Sequence, residues 1–245
     1  MADRWATFDC YGTLIDWELG IARTLTEVWS EADESTIERL IRQRERIESE
    51  IERDSAAPYR NILEESLLRL AGEENLSVPS GMENALADSL PAWPPFEEVP
   101  DALRELRIRG WKLAILSNID PEFLAASIEL IGVPIDETIT AADAGSYKPA
   151  HGHWNEFDSR VGPDRRHHVH VGASAFADLS PCAELGITAV WINRLSGATN
   201  VPRAAELPDL RELSATLDGL VPSGDGAVAR GTVGTAAADR GAEED

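Results

Sequence analysis

Short apolar segments alternate with helical segments over much of this chain, and this alternation limits the fold more than any other feature of the sequence. Segments of strand length are predicted at residues 5–9, 112–116, 135–140, 168–172 and 188–193. Helices are predicted at residues 101–109, 121–131, 151–161 and 178–185. Strands that are joined by helices form parallel sheets covered on both faces. The sequence therefore predicts an α/β fold with a doubly wound, Rossmann-like parallel sheet.

A long helical insert interrupts this pattern after the first predicted strand. Its apolar residues recur every three or four positions, and strand signals are few. We therefore expect a core domain made of residues 1–16 and 99–220, with a helical domain and its hinge over residues 17–98. Residues 221–245 are small, polar and aperiodic, so we expect them to form a disordered tail.

The charge of the chain excludes several classes of partner. Acidic side chains outnumber basic ones by 44 to 22, which gives a net charge of −22. Such a surface repels phosphates, so we expect no binding to nucleic acids or to anionic membranes. No apolar run approaches the roughly 20 residues of a membrane-spanning helix. The two cysteines, Cys10 and Cys182, are too few for a disulfide framework. We expect a soluble, cytoplasmic protein.

Lysine is nearly absent, since only Lys112 and Lys148 occur. An acidic, lysine-poor surface suits a protein that must stay soluble in concentrated salt, where self-repulsion is screened. A salt-loving source is therefore a hypothesis, and it requires the stability of the protein to rise between low and molar salt.

Chemically active side chains follow the predicted strands at the edge of the sheet where ligands bind in this type of fold. Asp9 follows the first strand, Ser117 and Asn118 follow the second, and Asp178 lies just beyond the fourth. Lys148 lies in the loop between the third and the fourth. This set predicts an activated nucleophile, in which Asp9 attacks, Lys148 holds it ionised and Ser117 orients a substrate oxygen.

Four motifs at these positions resemble those of the haloacid dehalogenase-like hydrolase superfamily. They are FDCYGTL, ILSN, SYKP and HVGASAFAD, and the resemblance covers about residues 5 to 195 in order. The helical insert has the size and character of the first-type cap domain of that superfamily. The resemblance implies a hydrolase that acts through an aspartyl-ester intermediate, but the superfamily contains phosphatases, phosphonatases and dehalogenases.

Two departures from the phosphatase pattern favour a dehalogenase. Tyr11 stands where the phosphatases have a second aspartate as a proton donor, and a phenol that titrates near ~10 is a poor one. Ala173 stands where they have a magnesium-binding carboxylate, so Asp9 and Asp178 alone would hold the ion. Dehalogenation needs neither group, because a halide leaves without a proton and no phosphate charge requires a metal. We expect hydrolytic dehalogenation of a small 2-haloalkanoic acid with no cofactor required.

Two alternatives stay open. The first is a magnesium-dependent phosphatase of a small phosphorylated metabolite. The second is a catalytically idle family member that acts as a binding protein, which Ala173 and Ala175 make credible because the dehalogenase branch commonly has serine and asparagine there. The sequence also leaves open the exact substrate, its enantiomer and the oligomeric state, although the resemblance allows a homodimer.

The resemblance to the 2-haloacid dehalogenase branch, which shares the Asp-x-Tyr-Gly-Thr opening, implies roles for the individual residues. Asp9 is the nucleophile and Thr13 hydrogen-bonds near it. Ser117 binds the substrate carboxylate, Lys148 neutralises charge and Asp178 helps to activate the hydrolytic water. Further substrate or halide contacts are expected from a set of polar side chains: Tyr11, Arg42, Asn118 and Ser174. Arg42 best fits the halide-binding arginine of the cap by its spacing, but Arg44, Arg46 and Arg60 are close to it.

Three histidines near the fourth predicted strand suggest a metal site at first sight. On a strand, His168 and His170 would share one face and His167 would face the other. No spaced cysteine or aspartate cluster completes a ligand set. We therefore predict no metal there.

Overall fold

The computed structural model describes residues 2–54 and 57–223. Its centre is a parallel sheet of six strands in the order β3-β2-β1-β4-β5-β6. The strands are β1 (Arg4–Phe8), β2 (Trp111–Ser117), β3 (Glu137–Thr140), β4 (His168–Gly172), β5 (Thr188–Ile192) and β6 (Ala205–Leu207). The chain moves outward from β1 to one edge, then returns to β4 and continues to the other edge. The predicted doubly wound α/β fold is confirmed, and the order reverses between β1 and β4, where such sheets bind ligands.

Ten α-helices are present in the described part of the chain. They are α1 (Trp17–Val28), α2 (Glu34–Asp54), α3 (Tyr59–Glu73), α4 (Ala85–Ser89), α5 (Val99–Ile108), α6 (Pro121–Ile131), α7 (Ala141–Ala144), α8 (Gly152–Val161), α9 (Ser180–Leu185) and α10 (Leu213–Leu220). A π-helical turn, Ala175–Leu179, precedes α9. Strand β6 and helices α7 and α10 are additions to the predicted elements, and the bounds of the other elements lie close to the predicted ones. None of these helices combines the length and apolar character of a membrane span.

Helices α1 to α4 form the insert between β1 and β2. Their buried apolar side chains belong to one continuous core with those on one side of the sheet, whereas Trp5, Trp154 and Phe157 belong to a second core on the opposite side. At the other end of the chain, the side chain of Val221 is also buried. The predicted disorder of residues 224–245 lies outside the described residues.

Asp120 joins the insert to the sheet domain. The sequence predicts it as the N-cap of α6, and it occupies that position, but its side chain makes no capping hydrogen bond there. Its carboxylate instead accepts hydrogen bonds from the backbone amides of Tyr59 (2.9 Å) and Arg60 (3.0 Å) at the start of α3. The first-turn amides of a helix need such acceptors. The start of α3 is thus fixed to the loop after β2, beside the candidate site.

The two crossings between sheet and insert run side by side. Ile15 and Pro95 form an antiparallel bridge, and the amide of Phe96 donates to the carbonyl of Leu14 at 3.0 Å. Arg194, which follows β5, lies over the ring of Phe96 at 3.6 Å and binds both Glu98 and the carbonyl of Thr13. The loop after β1 is therefore braced against the return crossing.

We expect opposite effects from alanine at two helical glycines. A Cβ at Gly20 in α1 would lie 2.3 Å from the ring of Trp93, whereas a Cβ at Gly72 in α3 meets nothing within 4 Å. Gly20→Ala should destabilise the protein by about 1–3 kcal/mol through overpacking. Gly72→Ala should stabilise it by up to about 1 kcal/mol through helix propensity. Urea denaturation of both variants measures this, and equal effects would contradict the packing of α1 on Trp93.

Candidate active site

Asp9 emerges from the carboxyl end of β1 with both side-chain oxygens bound. Its Oδ1 accepts a hydrogen bond from Lys148 Nζ at 2.8 Å, and its Oδ2 accepts one from Thr13 Oγ1 at 2.8 Å. The chain turns sharply between Asp9 and Thr13, since Gly12 has a φ of +89°, a conformation that other residues rarely adopt. The turn brings the Thr13 hydroxyl back onto the carboxylate that precedes it.

Thr13 also joins the first loop to the loop after β4. Its Oγ1 accepts a hydrogen bond from the backbone amide of Ala173 at 2.9 Å, and the carbonyl of Ala173 accepts one from Trp191 Nε1 at 2.8 Å. Ala173 therefore contributes its backbone to the site, although its side chain offers no ligand.

Asp178 lies on the other side of Lys148 and is completely buried. Its Oδ1 accepts a hydrogen bond from Lys148 Nζ at 2.8 Å, and its Oδ2 accepts one from the amide of Ser174 at 3.0 Å. A Cβ at Gly172 would lie 2.5 Å from this carboxylate. The absence of a side chain at Gly172 and the π-helical turn together allow Asp178 to reach the lysine.

One buried ammonium is thus shared by two carboxylates. Burial opposes the charge of Lys148, but Asp178 and Asp9 outweigh burial and raise the pKa of the ammonium above its usual value. Burial likewise opposes the charge of Asp178, but Lys148 prevails and the pKa of that carboxyl falls. For Asp9, burial prevails over Lys148, and with the charge of Asp178 it raises the pKa. Lys148 therefore favours the ionised form of Asp9, as expected, but its positive charge is shared between Asp9 and Asp178.

Ser117 and Asn118 end β2 next to this group. Ser117 is buried, and its Oγ hydrogen-bonds to none of the described residues, which leaves it available to a substrate. Asn118 is bound on both sides of its amide: Oδ1 accepts from the backbone amide of Lys148 at 2.6 Å, and Nδ2 donates to the Lys148 carbonyl at 3.2 Å. In this structure Asn118 holds the lysine loop.

Tyr11 and Ser174 are also bound to the protein. The Tyr11 hydroxyl lies 2.7 Å from Ser127 Oγ, and the tyrosine ring meets the ring of Trp93 edge-on. Ser174 Oγ accepts a hydrogen bond from the amide of Ala177 at 2.9 Å, which orders the π-helical turn. The hydroxyl groups of both residues therefore already have partners within the protein.

The comparisons with known proteins agree with this geometry. The family model described as haloacid dehalogenase-like hydrolase matches residues 4–186. The (S)-2-haloacid dehalogenase of Pseudomonas sp. strain YL is 31% identical over 192 residues, which are 76% of this chain and 81% of that protein. The chain belongs to the haloacid dehalogenase-like hydrolase family.

Further relatives of this haloacid dehalogenase-like hydrolase extend over nearly its whole length. The (S)-2-haloacid dehalogenase of Pseudomonas fluorescens is 29% identical over 224 residues, 89% of this chain and 96% of that protein. A solved structure of the L-2-haloacid dehalogenase of Xanthobacter autotrophicus, with chloropropionic acid covalently bound, has a TM-score of 0.77 at 18% identity. It covers 89% of this chain and 99% of that one. The likeness of the structures confirms the predicted fold.

The donor set of this haloacid dehalogenase-like hydrolase does not fit a magnesium ion. Asp9 and Asp178 are the carboxylates that would bind one, and their Oδ1 atoms both accept from the Lys148 ammonium. Mg²⁺ requires near-octahedral oxygen ligands, whereas Ala173 supplies none from its side chain. Among the described residues, no group of three or more histidine, cysteine, aspartate or glutamate side chains could hold a metal ion, and this includes the histidines of β4.

The four arginines of the insert that were considered for halide binding differ in their partners. Arg44 is buried and binds both oxygens of Glu48, at 2.9 and 2.7 Å. Arg46 pairs with Glu50 and Glu73, and Arg60 pairs with Asp88. The side chain of Arg42 is exposed and forms no ion pair or hydrogen bond with any of residues 2–53 and 57–223. Its guanidinium alone among the four is not neutralised by a described carboxylate.

A group of acidic side chains on α2 was missed by sequence reasoning. Glu48 binds Arg44 and the hydroxyl of Tyr59, and Glu52 lies one helical turn further along. Burial and the charge of Glu48 raise the pKa of Glu52 to about 8, although Arg44 and Lys148 oppose this. The signal that could have revealed it is the four-residue spacing from Arg44 to Glu48 and from Glu48 to Glu52, which places all three on one face of the helix.

Glu52 should make the stability of the protein depend on pH. Its pKa is raised in the folded state, so the stability it contributes is present below about 4.5 and is lost as the pH rises towards 8. Glu52→Gln should remove this loss, so that its stability relative to the parent improves by more than about 1 kcal/mol between pH 5 and pH 8. Urea denaturation at the two pH values measures the difference.

The matched control is Glu50→Gln in the same helix. Glu50 is exposed to solvent and its pKa is lowered by its hydrogen bond with Arg46, so its replacement should produce no such improvement at pH 8. A Glu52→Gln variant that loses stability with pH as steeply as the parent would show that this carboxyl is ionised at neutral pH.

Proposed function

We propose that this protein hydrolyses the carbon–halogen bond of a small 2-haloalkanoic acid, with Asp9 as the nucleophile. The observation that carries the proposal is a carboxylate bound by Lys148 and Thr13 with no proton donor two residues along. Burial raises the pKa of the Tyr11 phenol well above its usual value, and its hydroxyl is paired with Ser127. Tyr11 is therefore a poor proton donor for a leaving group that must be protonated, whereas a halide leaves without a proton.

The relatives support the same chemistry. Those reported above are named (S)-2-haloacid dehalogenases, and the Xanthobacter enzyme was captured with chloropropionic acid covalently bound. Helices α1 to α4 act in this proposal as the cap over the carboxyl end of the sheet. The hydrogen bonds of Asp120 to the start of α3, which join the insert to the loop after β2, support this role.

In the first step an oxygen of Asp9 forms a bond to the α carbon of the substrate. The carbon–halogen bond breaks on the opposite side, its electron pair leaves with the halide, and an aspartyl ester remains. The free hydroxyl of Ser117 binds the substrate carboxylate, and Lys148 offsets the negative charge that accumulates. No proton moves in this step.

In the second step water adds to the ester carbonyl of Asp9. The tetrahedral intermediate then expels the substrate oxygen, which takes one proton from the water to give a 2-hydroxy acid. The second proton of the water passes to solvent, and the Asp9 carboxylate is regenerated. Asp178 is expected to activate this water, but it is buried and both its oxygens accept hydrogen bonds. Its burial favours an indirect role, in which it holds Lys148 beside the ester.

We assign the halide contact to Arg42 from the insert and to the remaining N–H of Asn118. Arg42 is chosen because its charge is free, whereas Arg44, Arg46 and Arg60 are already paired. A free guanidinium attracts an anion, and an ion-paired one must first lose its partner. The cycle proposed here requires no cofactor.

Replacement of the nucleophile should abolish turnover. We expect Asp9→Asn to lower the rate of halide release from 2-chloropropionate by roughly a thousandfold or more, after mass spectrometry has excluded deamidation back to aspartate. The parent should release halide equally with and without EDTA, and a slow substrate should leave an adduct on Asp9. Undiminished turnover by Asp9→Asn would contradict the proposal.

The same assays separate the alternatives. Phosphate release that EDTA abolishes would support the phosphatase, and no product or adduct with any acid or phosphate ester would support the idle binding protein.

A pair of arginine variants tests the halide contact. Arg42→Gln should lower kcat/KM for halide release by roughly 10- to 100-fold, since a charge-assisted hydrogen bond to the leaving halide is lost. Arg46→Gln, four residues along the same helix, should change kcat/KM by less than about twofold, because Arg46 is paired with Glu50 and Glu73 at the surface. Equal effects of the two variants would remove Arg42 from the site.

A further inference from the structure

A row of polar side chains runs through the apolar side of the sheet towards the active site. Strands β1 and β4 are parallel neighbours, and Thr7 lies opposite His170. Alternate residues of a strand share one face, so Thr7 lies on the same side as Asp9, and His168 on the same side as His170. Thr7, His168 and His170 are completely buried. Polar groups in such a place need hydrogen-bond partners.

The contacts within this row form a chain that ends at Asp178. Thr7 Oγ1 lies 2.9 Å from His168 Nε2 and 2.9 Å from His170 Nδ1. On the far side of its ring, His170 Nε2 lies 3.5 Å from Asp178 Oδ1 and has no hydrogen-bond partner among the described residues. Asp178 Oδ1 is the same atom that binds Lys148.

The number of available hydrogens limits which atom donates and which accepts in each contact of this row. The Thr7 hydroxyl has one hydrogen to donate, so one ring must accept from it and the other must donate to it. If it donates to His168, then His168 carries its hydrogen on Nδ1, which has no partner among the described residues. If it donates to His170 Nδ1, then His168 Nε2–H donates to Thr7 and His170 carries its hydrogen on Nε2, facing Asp178. The second arrangement removes the hydrogen from His168 Nδ1 and directs that of His170 Nε2 towards Asp178 Oδ1, 3.5 Å away.

The charge of Asp178 favours the same arrangement. A lone pair on His170 Nε2 would face a carboxylate oxygen in a buried, apolar region, whereas an N–H there attracts it. Burial lowers the pKa of His168 to about 3, so that ring is neutral and has a single hydrogen to place.

We propose that His170 is a positioning residue whose Nε2–H, oriented through Thr7, holds the Asp178 carboxylate against Lys148. His170 touches neither the substrate nor Asp9 and acts only through Asp178. The rings of Trp154 and Phe157 cover the row, with centroids 5.3 Å from His170 and His168 respectively. The kinetic part of this inference rests on the proposed dehalogenase activity, and the tautomer does not.

Few other titratable groups can supply a donor to Asp178. The titratable side chains that face it from the surrounding elements are Lys148, Asp9, His170, His153 and Cys182. Burial lowers the pKa of His153 to about 4 and raises the pKa of Cys182. Neither of these two forms a hydrogen bond with Asp178 in the described part of the chain. His153 Nε2 donates to the Ser117 carbonyl at 3.0 Å, whereas His170 Nε2 lies 3.5 Å from Asp178.

The tautomer can be measured on the unmodified protein. Nitrogen-15 NMR of the histidine rings should show His170 with its hydrogen on Nε2, and His168 likewise. His170→Gln and His168→Phe identify the signals by their disappearance. A neutral His170 with its hydrogen on Nδ1 would overturn the proposal, and this readout needs no substrate.

Three variants test the consequence for catalysis. His170→Phe keeps a ring but removes the donor, so it should lower kcat for halide release roughly tenfold with little change in KM. His170→Gln restores a donor near the position of Nε2 and should recover most of the lost kcat.

The matched control is His168→Phe, which changes the same strand but leaves the Thr7 hydroxyl free to donate to His170 Nδ1. It should leave kcat within about twofold of the parent. If His168→Phe and His170→Phe lower kcat equally, or if His170→Gln behaves as His170→Phe does, the row contributes only packing and the proposal fails. If the parent releases no halide, the proposed function fails and the tautomer alone decides the inference.

Discussion

The structure of the site depends on the burial of one ammonium between two carboxylates. Removing a charge from water costs several kcal/mol. This cost is offset only where opposite charges and hydrogen-bond partners lie close to the buried group. Lys148 has Asp9 and Asp178 at 2.8 Å each, and its backbone is held by Asn118. Any of these groups on its own would be unstable in the interior. The reactivity of Asp9 is therefore a property of the set, since its charge depends on how Lys148 is shared.

The order of the strands makes this arrangement possible. Asp9 and Asp178 follow neighbouring parallel strands at the point where the chain reverses its winding direction, so their side chains meet at one edge. The lysine arrives from the β3 side of the sheet through the loop that Asn118 holds. Gly172 is required at the end of β4, because a side chain there would overlap the carboxylate of Asp178.

The sheet and its chemically active strand ends could be predicted because both depend on local patterns. Apolar segments of strand length indicate the strands, and the residues that follow them must meet at one edge. The use of lysine rather than arginine at position 148 of an arginine-rich chain also indicates a functional residue. What could not be predicted depends on contacts between distant segments: Asp120 caps α3 rather than its own helix, and Asn118 binds the backbone of Lys148. The buried row from His168 to Asp178 likewise requires the register of β1 against β4.

The arginines of α2 show why spacing alone could not select the halide-binding residue. Arg44 and Arg46 each have a glutamate four residues later, and these pairs form. Arg42 has Arg46 at that position, and two cations on one helical face repel each other. Among the four arginines considered for the halide, Arg42 is thus the one without a described carboxylate partner, on a strongly acidic protein where most of the surface would repel an anion. In the proposed reaction an anion near α2 is therefore attracted to Arg42 rather than to its ion-paired neighbours, so the pairing of the other arginines matters as much as the spacing of this one.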